Sequence, residues 1–111
     1  MGRSLIAALF LASLGQPIAA APRTIGIVNA SGAQLRDIAI KPEDGKNWIE
    51  VSPGLSPGAR TRLTVDPDVC AYDLRATTAG TSLTWRGINL CETSSVTLNR
   101  RADGVLWVDY E

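Results

Sequence analysis

Short apolar runs, separated by turn-forming residues, are the feature that most limits what this chain can fold into. Runs rich in Val, Ile, Leu, Thr and Trp are broken about every 8 to 12 residues by Gly, Pro, Asn or Asp. No stretch between them has a helical pattern of useful length, so the crossover helices of a parallel sheet are excluded. The pattern predicts an all-β fold, a small antiparallel sandwich or barrel of about eight short strands with one disulfide.

The predicted strands cover residues 24–29, 35–41, 48–51, 59–65, 70–77, 81–90, 95–99 and 105–110. Residues 29–32 are predicted to close a first hairpin, and residues 78–80 a later one. Residues 52–58 twice combine Pro with Gly, which is typical of a loop, and we expect Leu55 to fold back as its apolar plug. The last run is apolar on both faces, which predicts a central or covered strand.

Alternation within residues 70–77 places Cys70 on the same face as Tyr72 and Leu74, and therefore in the core. In the next run Trp85 and Ile88 occupy opposite phases, which predicts a β-bulge at Gly87. Simple pairing around the turn at residues 78–80 leaves Cys70 three residues short of facing Cys91. We therefore expect the bulge to supply part of this offset, and the end of the strand to supply the rest.

The front of the chain has the pattern of a secretory signal peptide. One cation, Arg3, precedes an uncharged apolar run at residues 5–12, and small residues follow at positions 19–21. The run is shorter than the roughly 20 residues that span a bilayer. We expect residues 1–20 to be cleaved, which leaves a single β-sandwich domain at residues 21–111 with no stable membrane span.

The chain has 2 cysteines, Cys70 and Cys91. Export places them where disulfides persist, whereas two free thiols would fit a cytosolic protein. Closing a loop of this length stabilises the fold by roughly 3 kcal/mol in the chain-entropy model. The sequence therefore predicts a disulfide between these residues and a periplasmic or secreted protein.

Charge argues against one class of partner. The chain has 11 basic and 11 acidic side chains, and its formal net charge is zero. Binding to nucleic acid depends on a cationic excess that neutralises phosphates. No nucleic-acid partner is expected.

A set of motifs is spread over nearly the whole of residues 21–111. They are Asn29-x-Ser31-Gly32, Pro42 ahead of Trp48, residues 55–58, residues 70–75 and residues 87–91. The most specific are a Cys-x-Tyr-Asp-Leu run and a Leu-Cys partner about twenty residues later. Together they resemble a family of small exported proteobacterial proteins of uncharacterised function. The resemblance implies export, β-structure and a disulfide, but no catalytic role.

The inventory of reactive side chains favours a protein that is not an enzyme. There are 0 histidines, which removes the most common general base and zinc ligand, and the disulfide leaves no thiolate. The acidic pairs Glu43 with Asp44 and Asp66 with Asp68 lie in turns, where carboxylates are common. We expect no catalytic residue, cofactor or metal, although these acidic turns leave a calcium-binding domain as an alternative.

Candidate binding residues are aromatic or cationic. Trp85 is in phase with Leu83 and is predicted to lie in the core, whereas Trp48 follows a polar stretch and is predicted to be partly exposed. Four arginines alternate along strands that are predicted to be neighbours and to share one outer face, where they would hold an anionic glycan or an acidic protein edge. They are Arg60, Arg62, Arg75 and Arg86. Asp73 shares the face of Arg75, which favours cross-strand ion pairing instead.

The leading hypothesis is therefore an exported non-enzymatic binding or accessory module for a periplasmic or extracellular protein or glycan. A periplasmic inhibitor of a hydrolase, with residues 52–58 as the inserted loop, is the alternative. Calcium binding is the third possibility.

The predicted cleavage and disulfide together determine the expected mass of the secreted protein. Its intact mass, measured without reductant, should correspond to a chain that begins near Ala21 and lacks the two hydrogens that a disulfide removes. Retention of Met1 or detection of free thiols would contradict the prediction.

Overall fold

Eight strands account for nearly all regular structure in the computed structural model, which describes residues 21–111. The predicted signal peptide lies outside the described residues. The strands are β1 (Arg23–Ala30), β2 (Leu35–Pro42), β3 (Ile49–Leu55), β4 (Arg60–Val65), β5 (Ala71–Thr78), β6 (Thr81–Asn89), β7 (Ser95–Arg100) and β8 (Leu106–Tyr110). The predicted all-β class and the number of strands are confirmed.

The strands form two four-stranded sheets. The first sheet has the order β4-β1-β7-β8, and the second has the order β3-β2-β5-β6. All neighbours are antiparallel except β1 and β7, which are parallel. This parallel pair needs no crossover helix because five other strands separate β1 from β7 along the chain. The predicted sandwich is confirmed. No helix in the described part of the chain is long and apolar enough to cross a membrane.

The core lies between the two sheets and is made by alternate residues of each strand. Ile25 and Ile27 of β1 are each 1% exposed, and from the second sheet Leu74 is 1% and Trp85 2% exposed. Burial of one such side chain stabilises the fold by about 1.5 to 3 kcal/mol. The predicted core position of Trp85 is confirmed, and its indole nitrogen donates a hydrogen bond to the Asn99 carbonyl of the opposite sheet at 3.0 Å.

The segment at residues 29–32 does not close a hairpin, and that prediction was wrong. It carries the chain from β1 in the first sheet to β2 in the second. Asn29 is fully buried, and its side-chain nitrogen donates to the carbonyls of Ala33 and Leu55, each at 2.8 Å. Its side-chain oxygen accepts from the amide and hydroxyl of Ser31. A fully satisfied polar side chain thus fixes the crossing between the sheets.

The predicted loop at residues 52–58 was also wrong in its bounds. Residues 52–55 belong to β3, where Leu55 is buried as a strand residue opposite Leu35 and not as a plug. Pro53 is tolerated there because β3 is an edge strand, in which one side of the backbone needs no donor. Only the short turn at residues 56–59 remains outside the strands.

The β5–β6 hairpin confirms both the turn and the bulge. Thr78 faces Thr81 across the turn, and Gly87 has a φ of 64° at the irregularity in the register. The Leu90 amide donates to the Cys70 carbonyl at 2.8 Å, so that Cys91 follows directly.

The disulfide between Cys70 and Cys91 is confirmed, but its predicted place in the core was wrong. Cys70 is exposed and precedes the first residue of β5. The alternation of a strand does not extend beyond its end, and Val69 packs against the core instead.

The last strand is not central. β8 is the edge of the first sheet, and within residues 21–111 it pairs with β7 alone. Leu106 and Val108 pack against the core, whereas Trp107 is 40% and Tyr110 48% exposed. The run is apolar on both faces because Trp107 lies on the exposed outer face, whereas Tyr110 lies opposite Val96 and shares the inner face with Leu106 and Val108.

The hairpin turn predicts a stabilising substitution. Ala79 and Gly80 have φ values of 48° and 78°, the combination of a type I′ turn, in which Asn-Gly is strongly preferred. Ala79→Asn should raise the free energy of unfolding by about 1 kcal/mol because Asn tolerates the left-handed region better than Ala. Urea denaturation measures the change, with Ala79→Val as the destabilising control. A more stable Val variant would contradict this account of the turn.

Candidate functional site

The predicted binding residues fall on two different sheets. Arg75 lies in β5 and Arg86 in β6, and Trp48 immediately precedes β3, so these three belong to the second sheet. Arg60 and Arg62 lie in β4 of the first sheet. The prediction of one outer face lined by all four arginines was wrong, because the chain crosses from one sheet to the other between β4 and β5.

Trp48 lies against two cations on the second sheet. The Arg75 guanidinium carbon is 4.3 Å from the centroid of the indole ring, and the Lys41 ammonium nitrogen is 5.4 Å from it. Trp48 is half-buried, in agreement with the predicted partial exposure. Cation–π contacts of this kind contribute about 0.5 to 2 kcal/mol each. They hold the ring in place and leave part of it accessible.

Asp73 is the buried carboxylate next to this ring. It is 4% exposed, and Lys41 faces it across the β2–β5 pair. The Lys41 ammonium donates to one carboxylate oxygen at 3.1 Å, and the Gly87 amide donates to the other at 3.0 Å. Asp73 thus pairs with Lys41 in a buried setting, where the sequence had suggested ion pairing on a solvated face.

The environment of Asp73 stabilises its charged form. Burial by itself raises the pKa of Asp73, but the hydrogen bonds from Gly87 and Lys41 and the positive charges of Lys41 and Arg86 outweigh it, so that the pKa lies below its usual value. With a donor on each oxygen and little exposure to solvent, Asp73 serves to position Lys41.

A cavity of about 330 Å³ adjoins the ion pair and is lined by Lys41, Asp73, Glu43, Arg86 and Gly87. A Cβ placed on Gly87 would lie 3.1 Å from a carboxylate oxygen of Glu43, so Glu43 lies directly over the bulge. Arg86 supplies a cation and Glu43 an acceptor. We call this cavity together with Trp48 and Arg75 the Trp48 face. Its groups suit a ligand with hydroxyl and acidic groups.

The two acidic turns considered for calcium lie near each other. Glu43, Asp44 and Asp68 line a cavity of about 360 Å³ beside Cys70. Within residues 21–111, however, no group of three or more His, Cys, Asp or Glu side chains is arranged to hold a metal ion. The Asp66 carboxylate accepts a hydrogen bond from the Asp68 amide at 2.8 Å, which is an ordinary turn interaction. The arrangement gives the calcium hypothesis no support.

The sequence did not single out Lys41, and it indicated Glu43 only as a carboxylate of an acidic turn and not as a neighbour of Gly87. Lys41 becomes significant only through the β2–β5 register, which places it opposite Asp73. Glu43 becomes significant only because it approaches Gly87 of β6. Neither relation has a local signal in the sequence, since β3 and β4 separate β2 from β5 and β6 along the chain.

Comparison with known proteins adds information on the fold. No family model matches this chain, and no curated protein sequence matches it. The structure is similar to the NMR structure of a protein from Eubacterium rectale, with a TM-score of 0.60 and 19% sequence identity, over 86% of this chain and 94% of that chain. At this identity the similarity shows the fold alone. The resemblance to an exported proteobacterial family stays a prediction.

The buried ion pair predicts a pH-dependent stability. Because the pKa of Asp73 is lower in the folded state than the unfolded value near 4, its stabilising contribution is complete above that value and is lost as the pH falls through the folded pKa. Asp73→Asn should cost about 3 kcal/mol near neutral pH, since it leaves Lys41 without its counter-charge.

Urea denaturation of both proteins at several pH values tests this. The difference in stability between the wild type and Asp73→Asn should narrow below about pH 4. A difference that stays constant down to the most acidic conditions would show that Asp73 is not charged in the folded protein.

Proposed function

We propose that this protein is an exported, non-enzymatic binding module of the bacterial periplasm or cell exterior, and that it binds an acidic glycan at the Trp48 face. The observation that carries the proposal is the half-buried indole of Trp48, held by Arg75 at 4.3 Å beside a polar cavity. An aromatic ring that is held in place next to charged groups is common in ligand-binding sites, which combine apolar contact with a few polar contacts.

Each group of the face has a partner in such a ligand. The apolar surface of a sugar ring stacks on the accessible part of Trp48. The charge of Lys41 is matched by Asp73, so Arg75 and Arg86 remain to bind carboxylates of the glycan. Glu43 accepts hydrogen bonds from sugar hydroxyls. The face therefore matches a uronic-acid type of polymer better than a neutral one.

Preorganisation supports binding at this face. Trp48 and Lys41 are already held by cation–π contact and ion pairing, so less side-chain entropy is lost when a ligand arrives. Weak multivalent contact along a polymer adds to the affinity of one site.

Location and lack of catalysis rest on separate observations. The signal pattern of residues 1–20 and the disulfide between Cys70 and Cys91 support export. The lack of histidine in the sequence and the engagement of Asp73 by two donors support binding without catalysis. The inhibitor alternative loses its proposed insert, since residues 52–55 are part of β3.

Binding of polygalacturonate to the exported domain tests the proposal, with neutral dextran as the comparison polymer. We expect calorimetric binding of polygalacturonate but not of dextran. Trp48→Ala should lower the affinity by about tenfold, which corresponds to about 1.4 kcal/mol. Trp107→Ala is the matched control, because Trp107 is an exposed tryptophan of the other sheet.

Two outcomes would overturn the proposal. If polygalacturonate does not bind, or if dextran binds equally well, the ligand class is wrong. If Trp48→Ala and Trp107→Ala bind alike, the Trp48 face is not the site. Thermal denaturation of both variants shows that each is folded before binding is compared.

A further inference from the structure

A second polar cavity lies on the outer face of the first sheet, away from the Trp48 face. It has a volume of about 350 Å³, and Gly26 lies at its floor. In the sheet register Gly26 faces Arg62 of β4 on one side and Ser95 of β7 on the other. Because Gly26 has no side chain, a trough remains between these two residues. We call this cavity the Ser95 pocket.

The Ser95 hydroxyl is the unusual group of the pocket. The residue is 7% exposed, and among residues 21–111 its oxygen is the buried side-chain oxygen with no hydrogen-bond partner. The hydroxyls of the neighbouring Thr93 and Ser94 both donate to the main-chain oxygen of Glu111. Buried hydroxyls are almost always bonded in folded proteins, so an unpartnered hydroxyl in the wall of a cavity is available to bond a group that enters it.

Two arginines form the opposite wall. Arg60 and Arg62 are alternate residues of β4, so they share one face of the strand, and both are exposed. In the part of the chain that the structure describes, neither forms a salt bridge. Guanidinium groups bind carboxylates through paired N–H donors in one plane.

Glu111 adds a negative charge to a pocket whose opposite wall is positively charged. It lines the cavity from beyond β8, on the side away from Arg60 and Arg62, with β1 and β7 between. Its carboxylate opposes a doubly charged anion but attracts an ammonium group. A ligand that matches both ends has a carboxylate at the arginines and a hydrogen-bond donor with positive charge at Glu111.

We infer that the Ser95 pocket binds a small zwitterionic acid of the α-amino acid class. The ligand carboxylate accepts hydrogen bonds from Arg62 and from the Ser95 hydroxyl, and its ammonium group faces Glu111. A cavity of this size lies within the range of small-molecule sites, about 300 to 1,000 Å³. This site is independent of the proposed glycan face, because it lies on the other sheet.

Amide chemical shifts of the isotopically labelled domain, titrated with alanine, test the inference. We expect saturable shifts at the amides of Gly26 and Ser95. Alaninamide, which lacks the carboxylate, and N-acetylalanine, which lacks the ammonium group, should each bind at least tenfold more weakly. Inorganic phosphate serves as the dianionic probe and should also bind more weakly because of Glu111.

Two variants separate binding from folding. Arg62→Gln should weaken alanine binding about tenfold, and Arg36→Gln, an exposed arginine of the second sheet, is its matched control. Gly26→Ala should also weaken binding by filling the trough, and it should fold because its Cβ would meet Ser95 at an ordinary distance of 3.5 Å.

Specific results would overturn the inference. They are the absence of saturable shifts at Gly26 and Ser95, equal binding of alanine and alaninamide, or unchanged affinity in Arg62→Gln. Tighter binding of inorganic phosphate than of alanine would show that the Ser95 pocket prefers a plain oxyanion to a zwitterion. That result would equally contradict the inference.

Discussion

The bulge at Gly87 is the constraint on which much of this structure depends. Its φ of 64° suits a residue without a Cβ, and the extra residue shifts the β5–β6 register so that Ala71 faces Asn89. That shift brings Cys91 beside Cys70. The amide freed at the bulge donates to Asp73, which in turn holds Lys41 beside Trp48. The disulfide and the Trp48 face therefore follow from one backbone irregularity.

Directional polar contacts decide how the two sheets face each other. Apolar burial between the sheets is large but does not by itself select one register. The Trp85 indole bonds a carbonyl of the opposite sheet, the Asn89 amide donates to the Tyr110 hydroxyl, and Asn29 bonds the end of β3. In another arrangement Trp85 and Asn29 would each leave a buried or partly buried polar group unpaired, which is costly, whereas the bond between Asn89 and Tyr110 is exposed. The outer faces are thus built on a fixed frame.

Local signals predicted the local parts of the fold. The turn at Ala79 and Gly80 and the bulge at Gly87 were predictable because the change of phase and the glycines are close in sequence. Whether Asn29 leads into a hairpin or into the other sheet depends on distant pairing, and both choices need the same turn residues. Because distant pairing has no local signal, the sequence predicted one shared face for Arg60, Arg62, Arg75 and Arg86, although β4 and β5 lie in different sheets. For the same reason the sequence contains no sign of the role of Lys41, since its partner Asp73 is 32 residues away.

The two outer faces differ in how completely their polar groups are satisfied. On the second sheet the buried Asp73 has a donor for each oxygen, so its role in holding Lys41 explains its presence. On the first sheet the Ser95 hydroxyl has no donor or acceptor among residues 21–111, and alanine at that position would remove an unpaired group without leaving a large cavity. Stability alone therefore does not account for the hydroxyl. Binding sites are where proteins keep groups that folding does not need, and the adjacent Arg60 and Arg62, which form no salt bridge within the described part of the chain, agree with such a site.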